Sequence, residues 1–294
     1  MCAFAANSLL CRAALGARAI DALSFTTVRI VSGAAVLALI ARGSPASGGS
    51  RRKSIPALGP RGLTPVPGCA PEPPSPVRRP WALAAALFGY AIAFSLAYTR
   101  IPAAVGALAL FGSVQACMIG WGAVSGHAPS PREWLGLMLA LAGLVGLTLP
   151  GLSAPDPLGF GLMVAAGACW AVYSLLGRTS GAALASNAAS FARAVPLALA
   201  TSLAGAAASA PHASARGALL ALASGAVTSG LGYVVWYAAL RGMSATQGAL
   251  VQLSVAPLAA LGGVLLLAER PGPRLLACGL LILGGIALAL TRRR

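Results

Sequence analysis

The sequence predicts an all-α integral membrane protein with ten transmembrane helices arranged as two inverted five-helix repeats. Three observations lead to this fold class. Of 294 residues, 58% are hydrophobic and 9% are charged, with a mean hydropathy of +0.83, which leaves too little polar surface to cover a soluble protein of this size. Apolar runs of about 17 to 25 residues recur along the chain. The two halves of the sequence also resemble each other.

Apolar runs separated by turn residues define ten candidate spans. They cover residues 2–18, 23–41, 81–99, 103–125, 133–150, 158–177, 186–207, 217–239, 244–267 and 274–291. Most connectors are short, so successive helices should be antiparallel neighbours. The connector 43–80 differs, because ten of the 21 prolines lie in it together with many glycines and serines. Such a composition buries too little apolar area to fold alone, and we predict a flexible basic loop.

The basic residues predict the orientation in the membrane. A net charge of +16 would suit a nucleic-acid partner, but most basic residues lie between spans, which argues against that function. With both termini inside, the inner segments hold 13 basic residues and the outer ones five, Arg18, Arg100, Arg216, Arg270 and Arg274. We therefore predict that the N- and C-termini lie in the cytoplasm.

An internal repeat divides the chain near residue 150. Shifting the sequence by 142 residues lays 102–149 on 244–291 without a gap, and "PSPR" (129–132) then meets "PGPR" (271–274). Five spans per half is an odd number, so the second half must cross the membrane the opposite way up. We predict a first repeat over 1–150, which includes the loop 43–80, and a second over 151–294. The alternative is that duplication only makes a stable helical bundle.

A family resemblance accompanies the repeat. The chain contains "FAANSLLCRAAL", "IDALSFTTVRIVSGAAVLAL", "WAVYSLLGR", "NAASFARAVPLAL" and "SATQGALVQLSVAPLAALGGVLLLAERP". With this layout it resembles the EamA-type branch of the drug/metabolite transporter superfamily, outside the loop 43–80. The resemblance implies ten helices in two inverted repeats, a central cavity, and export of amino acids or other small metabolites from bacteria. His127 departs from the family, whose first half often has an acidic residue there that matches Glu269.

Polar or aromatic residues in the middle of spans are the candidate substrate-binding residues. They are Asn7 and Ser8 in the first span, Gln115 in the fourth, Tyr173 and Ser174 in the sixth, Tyr233 and Trp236 in the eighth, and Gln247 and Gln252 in the ninth. Such side chains can orient a metabolite by hydrogen bonds while rings cover its apolar part. The alternative for each residue is a hydrogen bond that joins two helices. For the set as a whole we expect a cavity.

The ninth span carries two of these amides and a proline. Gln247 and Gln252 are five residues apart, which is about 140 degrees around a helix, so they cannot share one narrow stripe. One is expected to line the cavity while the other bonds a neighbouring helix. Pro257 removes a backbone donor, and we expect it to kink this helix where it faces the cavity.

Charged residues in or beside the spans need partners. Arg29 and Arg193 occupy matching positions of the repeat, and we expect them to be structural anchors because an isolated guanidinium in lipid is costly. Arg12 could bind an anionic group of the substrate, with Asp21 or lipid headgroups as alternative partners.

Glu269 is the candidate for proton coupling. Its place beside Arg270 and Pro271 equally suits an ion pair at a helix end. The sequence leaves both interpretations open.

Catalytic groups are sparse. The five carboxylates, Asp21, Glu72, Glu133, Asp156 and Glu269, all lie in connectors or near span ends, and so do the two histidines. The six cysteines include no Cys-x-x-Cys pair. We therefore expect no enzyme, cofactor or metal. The family resemblance implies a transporter of small metabolites, amino acids or related compounds, that exports them. The inverted repeats predict alternating access, and protons are a candidate coupling ion. The alternatives are an integral membrane enzyme and a non-transporting partner subunit. Substrate identity, direction, coupling ion and oligomeric state stay open.

Overall fold

The computed structural model describes residues 1–43, 80–124, 131–148, 154–177, 183–240, 252, 254–270 and 272–290, and the described elements are helical. We number the helices α1 Cys2–Gly16, α2 Ala22–Gly43, α3 Pro80–Tyr98, α4 Ala103–Val124, α5 Pro131–Thr148, α6 Pro157–Gly177, α7 Ala183–Ala208, α8 Ala215–Ala223, α9 Gly232–Leu240, α10 Val255–Leu267 and α11 Pro273–Leu290, with a π-helical segment Ser224–Leu231 joining α8 to α9.

Each predicted span contains a helix, and the hydrophobic lengths fit a multi-pass membrane protein. Five helices in the described part of the chain are long and apolar enough to cross a membrane: α2, α3, α6, α7 and the continuous stretch Ala215–Trp236. Shorter apolar helices account for other spans, including Cys2–Gly16 and Val255–Leu267. Exposed leucines such as Leu203 and Leu280, at 73% and 75% exposure, lie on the outer surface, where lipid rather than water suits them. The predicted loop 43–80, apart from its two ends, lies outside the described residues, as does the start of the ninth span.

Helix packing brings distant parts of the chain together. The principal partners are α5 with α11, α3 with α6, α2 with α7, α4 with α6 and α10, and α1 with α10, α8 and the π-helical segment. Aromatic side chains from α1, α3, α6 and α9 meet where these helices converge. This convergence places the core near the centre of the bundle.

The π-helical segment Ser224–Leu231 is a departure from the predicted regular eighth span. Its Gly225 lies against α2 so closely that an added Cβ would overlap Ser32 Oγ and the carbonyl oxygen of Arg29. Hydroxyl groups of Ser224 and Thr228 on this segment bond to α1 rather than to lipid. Such widened turns occur often at functional sites, because they redirect side chains without ending the helix.

The kink expected at Pro257 in the ninth span stays a prediction, because residues 244–251 of that span lie outside the described residues. The structure starts α10 at Val255, so Pro257 lies in its first turn. The first backbone N–H groups of a helix have no partner within it, and proline is tolerated there for that reason. Among the described helices, α7 contains a proline in its interior, Pro196.

One end of the bundle, which we call the loop end, gathers the turns that follow α1, α3 and α7 and the segments before α6 and after α10. Ile20 forms an antiparallel bridge with Ala213, and Arg100 Nη1 lies 3.7 Å from Asp156 Oδ1. Asp21 caps α2 by accepting from the backbone N–H groups of Leu23 and Ser24. Gathering these turns at one end is what antiparallel succession of the helices requires.

Candidate functional site

A small cavity lies where α1, α3, α4, α6 and α9 converge. We call it the central cavity, and its wall consists of Phe4, Asn7, Ser8, Tyr90, Phe94, Leu110, Phe111, Trp170, Tyr233 and Gln252. Its volume is about 20 Å³, which is room for a single water molecule. Four predicted site residues, Asn7, Ser8, Tyr233 and Gln252, therefore lie in one wall. The space that the described residues enclose there is too small for a metabolite.

The indole of Trp170 is the hub of the aromatic part of this wall. Its ring centroid lies 5.0 Å from that of Tyr90 and 5.1 Å from that of Tyr233. Phe4 packs edge-on against Trp170 at 5.9 Å and against Trp236 at 5.7 Å. These are the offset and edge-to-face arrangements that aromatic pairs prefer. Rings supplied by four helices thus form a surface suited to an apolar or aromatic molecule.

Asn7 is the centre of the polar part of the wall. Its Oδ1 accepts hydrogen bonds from Ser224 Oγ at 2.6 Å and from Thr228 Oγ1 at 3.1 Å. Its Nδ2 donates to the Tyr90 hydroxyl at 3.4 Å. A single amide therefore links α1 to α3 and to the π-helical segment, beside the central cavity. This arrangement satisfies the polar groups that would be costly in lipid.

Arg29 lies behind the aromatic wall. It is 2% exposed, its Nε donates to Ser229 Oγ at 3.0 Å and its Nη2 donates to the Tyr90 hydroxyl at 3.0 Å. The guanidinium carbon is 5.1 Å from the ring centroids of both Tyr90 and Phe94, a cation–π geometry. Its proposed repeat mate differs, since Arg193 is half-buried and donates to the Ala189 carbonyl of its own helix. The two arginines therefore have different partners, and their expected role as structural anchors stays a prediction.

The other predicted residues are absent from the described lining of the central cavity, although two of them pack against rings in its wall. Trp236 is buried against Phe4, and Tyr173 is buried against Trp170 while its hydroxyl donates to Asn187 Oδ1. Gln115 is buried in α4, and Ser174 is half-buried in α6. Gln247 lies outside the described residues.

The sequence-based selection missed Tyr90, Phe94 and Trp170. Tyr90 lies in the middle of the third span, and a buried tyrosine hydroxyl needs a partner there as much as Tyr173 does. The same criterion applied to the third span would have found it. Phe94 is one helical turn further on, and so on the same face. Trp170 carries less signal, because an indole in an apolar run is common in any helical core.

Glu269 joins three helices near the loop end. Its two carboxylate oxygens accept from the Ala103 backbone N–H, at 2.9 and 3.0 Å, where α4 begins. Arg12 Nε lies 3.4 Å from Oε1, while Arg12 Nη1 donates to the Tyr98 carbonyl at 2.9 Å. The ion-pair partner is therefore Arg12 of α1 rather than the neighbouring Arg270. A carboxylate at a helix N-terminus is also favoured by the helix dipole.

Replacing Glu269 by alanine is expected to reduce the free energy of unfolding by about 2 kcal/mol, because α4 loses its cap and Arg12 loses its counter-charge. Asp156→Ala is the matched control, since Asp156 caps α6 through the Gly159 N–H at 2.7 Å but is more exposed, 37% against 15%. We expect about 1 kcal/mol for the control. Thermal or denaturant unfolding of the purified variants measures both.

The three-helix role of Glu269 has a second check. Once Glu269 is alanine, Arg12→Gln should cost little further stability, because the ion pair is already lost. Full additivity of the two changes, or a Glu269→Ala variant no less stable than Asp156→Ala, would contradict this role.

A wider recess opens at the loop end. Its volume is about 450 Å³, and it is lined by Leu15, Gly16, Arg18, Ile20, Asp21, Ala22, Thr99, Arg100 and His212. Burial raises the pKa of Asp21, but hydrogen bonds from Ser24 and from the His212 backbone, with the charge of His212, bring the net pKa below its usual value. The sequence allowed Asp21 as a partner of Arg12. In the structure Asp21 accepts hydrogen bonds from Ser24 and His212 instead. The lining of the recess includes the charged residues Arg18, Asp21 and Arg100, whereas the wall of the central cavity contains no charged residue among those described.

Comparison with known proteins agrees with this architecture. Residues 157–291 match the EamA-like transporter family. Over 297 aligned residues, which cover 100% of this chain and 92% of the relative, the sequence is 47% identical to an uncharacterized protein of Pseudomonas aeruginosa. One solved crystal structure of a protein has 20% sequence identity to this chain and superimposes on it with a TM-score of 0.60. The superposition covers 98% of this chain and 95% of the other protein's chain. The structural likeness shows a shared fold.

Proposed function

Because the chain belongs to the EamA-like transporter family, we propose that it carries small metabolites, amino acids or related compounds, out of the cell by alternating access. The central cavity is the substrate site of this carrier, and the helices around it separate alternately toward the two sides of the membrane. The family consists of transporters rather than enzymes, and the wall of the cavity offers groups for binding rather than for bond cleavage.

The observation that carries the proposal is the composition of the central cavity. An aromatic surface around Trp170 faces the amide of Asn7, which is the combination that small-molecule sites use to hold an apolar body and fix its orientation. With a volume of about 20 Å³ the site holds no metabolite until helices move apart. A closed cavity with a binding-type wall is the resting form expected of a carrier.

The packing of the helices supports the two inverted repeats. In the proposed repeat, each helix of the first half corresponds to one of the second half. The matched pairs are α1 with α6, α2 with α7, α3 with the stretch α8–α9, α4 with α10 and α5 with α11. When the two halves are exchanged in this way, the α3–α6 contact becomes the contact of α1 with α8 and the π-helical segment, and the α4–α6 contact becomes the α1–α10 contact. The pairs α2–α7, α4–α10 and α5–α11 map onto themselves, as expected for contacts across a twofold axis.

The proposed orientation places the loop end outside the cell. The distribution of 13 basic residues in inner segments and five in outer ones favours cytoplasmic termini in a bacterial inner membrane. In that orientation Glu269 and the recess around Asp21 face the periplasmic side.

Transport in proteoliposomes tests the proposal. The purified protein is reconstituted, loaded with radiolabelled amino acids and related metabolites, and efflux is followed with and without a proton gradient. At least one substrate class should leave faster than from protein-free liposomes. Trp170→Ala should reduce that efflux by about tenfold or more, because the hub of the wall is lost.

Trp121→Ala is the matched control for this experiment. Trp121 is 59% exposed on the outer surface of α4, so its removal should leave efflux near that of the unmodified protein. Absence of efflux for the whole panel with correctly folded protein, or equal effects of the two tryptophan variants, would count against the carrier and favour a partner subunit or a merely structural core.

A further inference from the structure

Arg29 is a buried cation with an unused donor. Its Nε and Nη2 have acceptors, whereas no acceptor for Nη1 lies among the described residues. An arginine side chain carries hydrogen-bond donors and no acceptor, so only an acceptor can satisfy Nη1. At 2% exposure the guanidinium cannot reach lipid headgroups. A buried charge of this kind is costly unless an anion or a polar molecule meets it.

Three carboxylates have side chains that the structure describes, and none of them compensates Arg29. Asp21 is taken by α2 and His212, Asp156 lies beside Arg100, and Glu269 lies beside Arg12. The described groups that contact the guanidinium are the hydroxyls of Ser229 and Tyr90 and the rings of Tyr90 and Phe94, and none of them is a carboxylate. Around the central cavity the described side chains therefore carry one positive charge without a negative partner.

Tyr90 places this charge next to the central cavity. Its ring belongs to the cavity wall, while its hydroxyl accepts from both Arg29 Nη2 and Asn7 Nδ2. Phe94, the neighbouring ring in the wall, also stacks on the guanidinium. One layer of side chain thus separates Arg29 from the space that a substrate would occupy.

A second donor without an acceptor lies in the cavity wall itself. Gln252 lines the cavity, and its Nε2 has no acceptor among the residues that the structure describes. Two N–H donors without acceptors suit a ligand whose polar group consists of acceptors.

We infer that the substrate of the proposed carrier bears a carboxylate on an apolar or aromatic body, and that Arg29 Nη1 binds this carboxylate when the Tyr90–Phe94 wall opens. This inference rests on the proposed function and adds the substrate class. A monoanion balances the single charge of Arg29, whereas a phosphate dianion would leave a buried negative charge. The carboxylate also satisfies the donor that the empty site leaves unpaired.

Matched acids and amides test the inference by binding. The full chain is placed in lipid nanodiscs, and its thermal unfolding is titrated with N-acetyl-L-phenylalanine and its amide, N-acetyl-L-leucine and its amide, and 3-phenylpropanoate and 3-phenylpropanamide, so that each acid is a monoanion and each amide is neutral. In at least one pair the acid should bind about tenfold or more tightly than the amide, because only the acid forms a charge-assisted bond with Arg29. Phenyl phosphate is the dianionic probe and should bind more weakly than that acid.

Arginine variants assign the preference to Arg29. Arg29→Gln should abolish the preference for the acid, and Arg29→Lys should retain part of it, since lysine keeps the charge but loses the guanidinium geometry. Arg193→Gln is the matched control and should retain it fully, because Arg193 bonds only its own helix among the described residues. If Arg29→Gln does not fold, Arg29→Lys and the unmodified protein still decide the question.

Three results would overturn the inference: no acid in the series binds, amides bind as well as acids, or Arg29→Gln keeps the preference. Efflux measured in parallel separates this outcome from failure of the carrier. Acid binding without transport would remove the proposed function and leave the anion site standing. Transport of the amides and acids at equal rates would support the proposed function and remove the anion site at Arg29.

Discussion

Replacing Gly225 by valine is expected to prevent stable folding, with a loss of more than about 3 kcal/mol of unfolding free energy. The side chain would overlap the Arg29 carbonyl oxygen and Ser32 Oγ, and the backbone atom cannot move aside by changing a rotamer. The π-helical segment and α2 would have to separate. Fluorescence-detected size-exclusion chromatography after heating measures the loss.

Gly161→Val is the control for this prediction. Gly161 lies in α6 with nothing within 4 Å of an added Cβ, so valine there should be tolerated. Equal thermal stability of the two variants would contradict the close contact between α2 and the π-helical segment.

Replacing Asn7 by alanine is expected to reduce transport by about tenfold or more while the protein still folds. The Tyr90 hydroxyl, Ser224 and Thr228 lose the amide that aligns them at the central cavity. Individual hydrogen bonds between membrane helices contribute only about 0.6 kcal/mol on average, so the loss of stability should be modest. Efflux from proteoliposomes, normalised to folded protein, is the measurement.

Thr27→Val distinguishes a binding role of Asn7 from simple joining of helices. Thr27 Oγ1 bonds the Ala198 carbonyl at 3.0 Å and Ser202 Oγ at 2.7 Å, between α2 and α7 and away from the central cavity. Its variant removes a comparable number of contacts between helices. If both variants transport equally well, Asn7 is only a structural residue.

Hydropathy predicted the helices well because lipid imposes one strong requirement on every span. The backbone must bond within the helix, so apolar length alone locates each element. The requirement that a polar group in lipid find a partner also led to Asn7, Tyr233 and Gln252, which line the central cavity. Both inferences depend on local sequence and on the solvent.

The side of each helix that faces the cavity, and the distant residues that meet each other, could not be predicted in the same way. Gln115 and Asn7 are both amides in the middle of a span, but only the rotation of each helix decides that Asn7 lines the central cavity. Arg12 and Glu269 are far apart in sequence and meet because α1 packs on α10. Arg29 and Arg193 share a repeat position but have different neighbours. Such contacts depend on tertiary packing, which the hydrophobic periodicity of a single sequence does not reveal.

The π-helical segment has a consequence for how the wall of the central cavity could turn. Its hydrogen bonds span five residues rather than four, so it takes up about one residue more than the same length of α-helix. Relaxing it to α-helical bonding would rotate α9 against α8 by about 100 degrees, the angle of one residue. Tyr233 and Trp236 would leave Phe4 together, while both ends of the span stayed in the membrane. A change between π-helical and α-helical bonding in this segment would therefore rotate α9 about the helix axis and change the face that α9 presents to the central cavity.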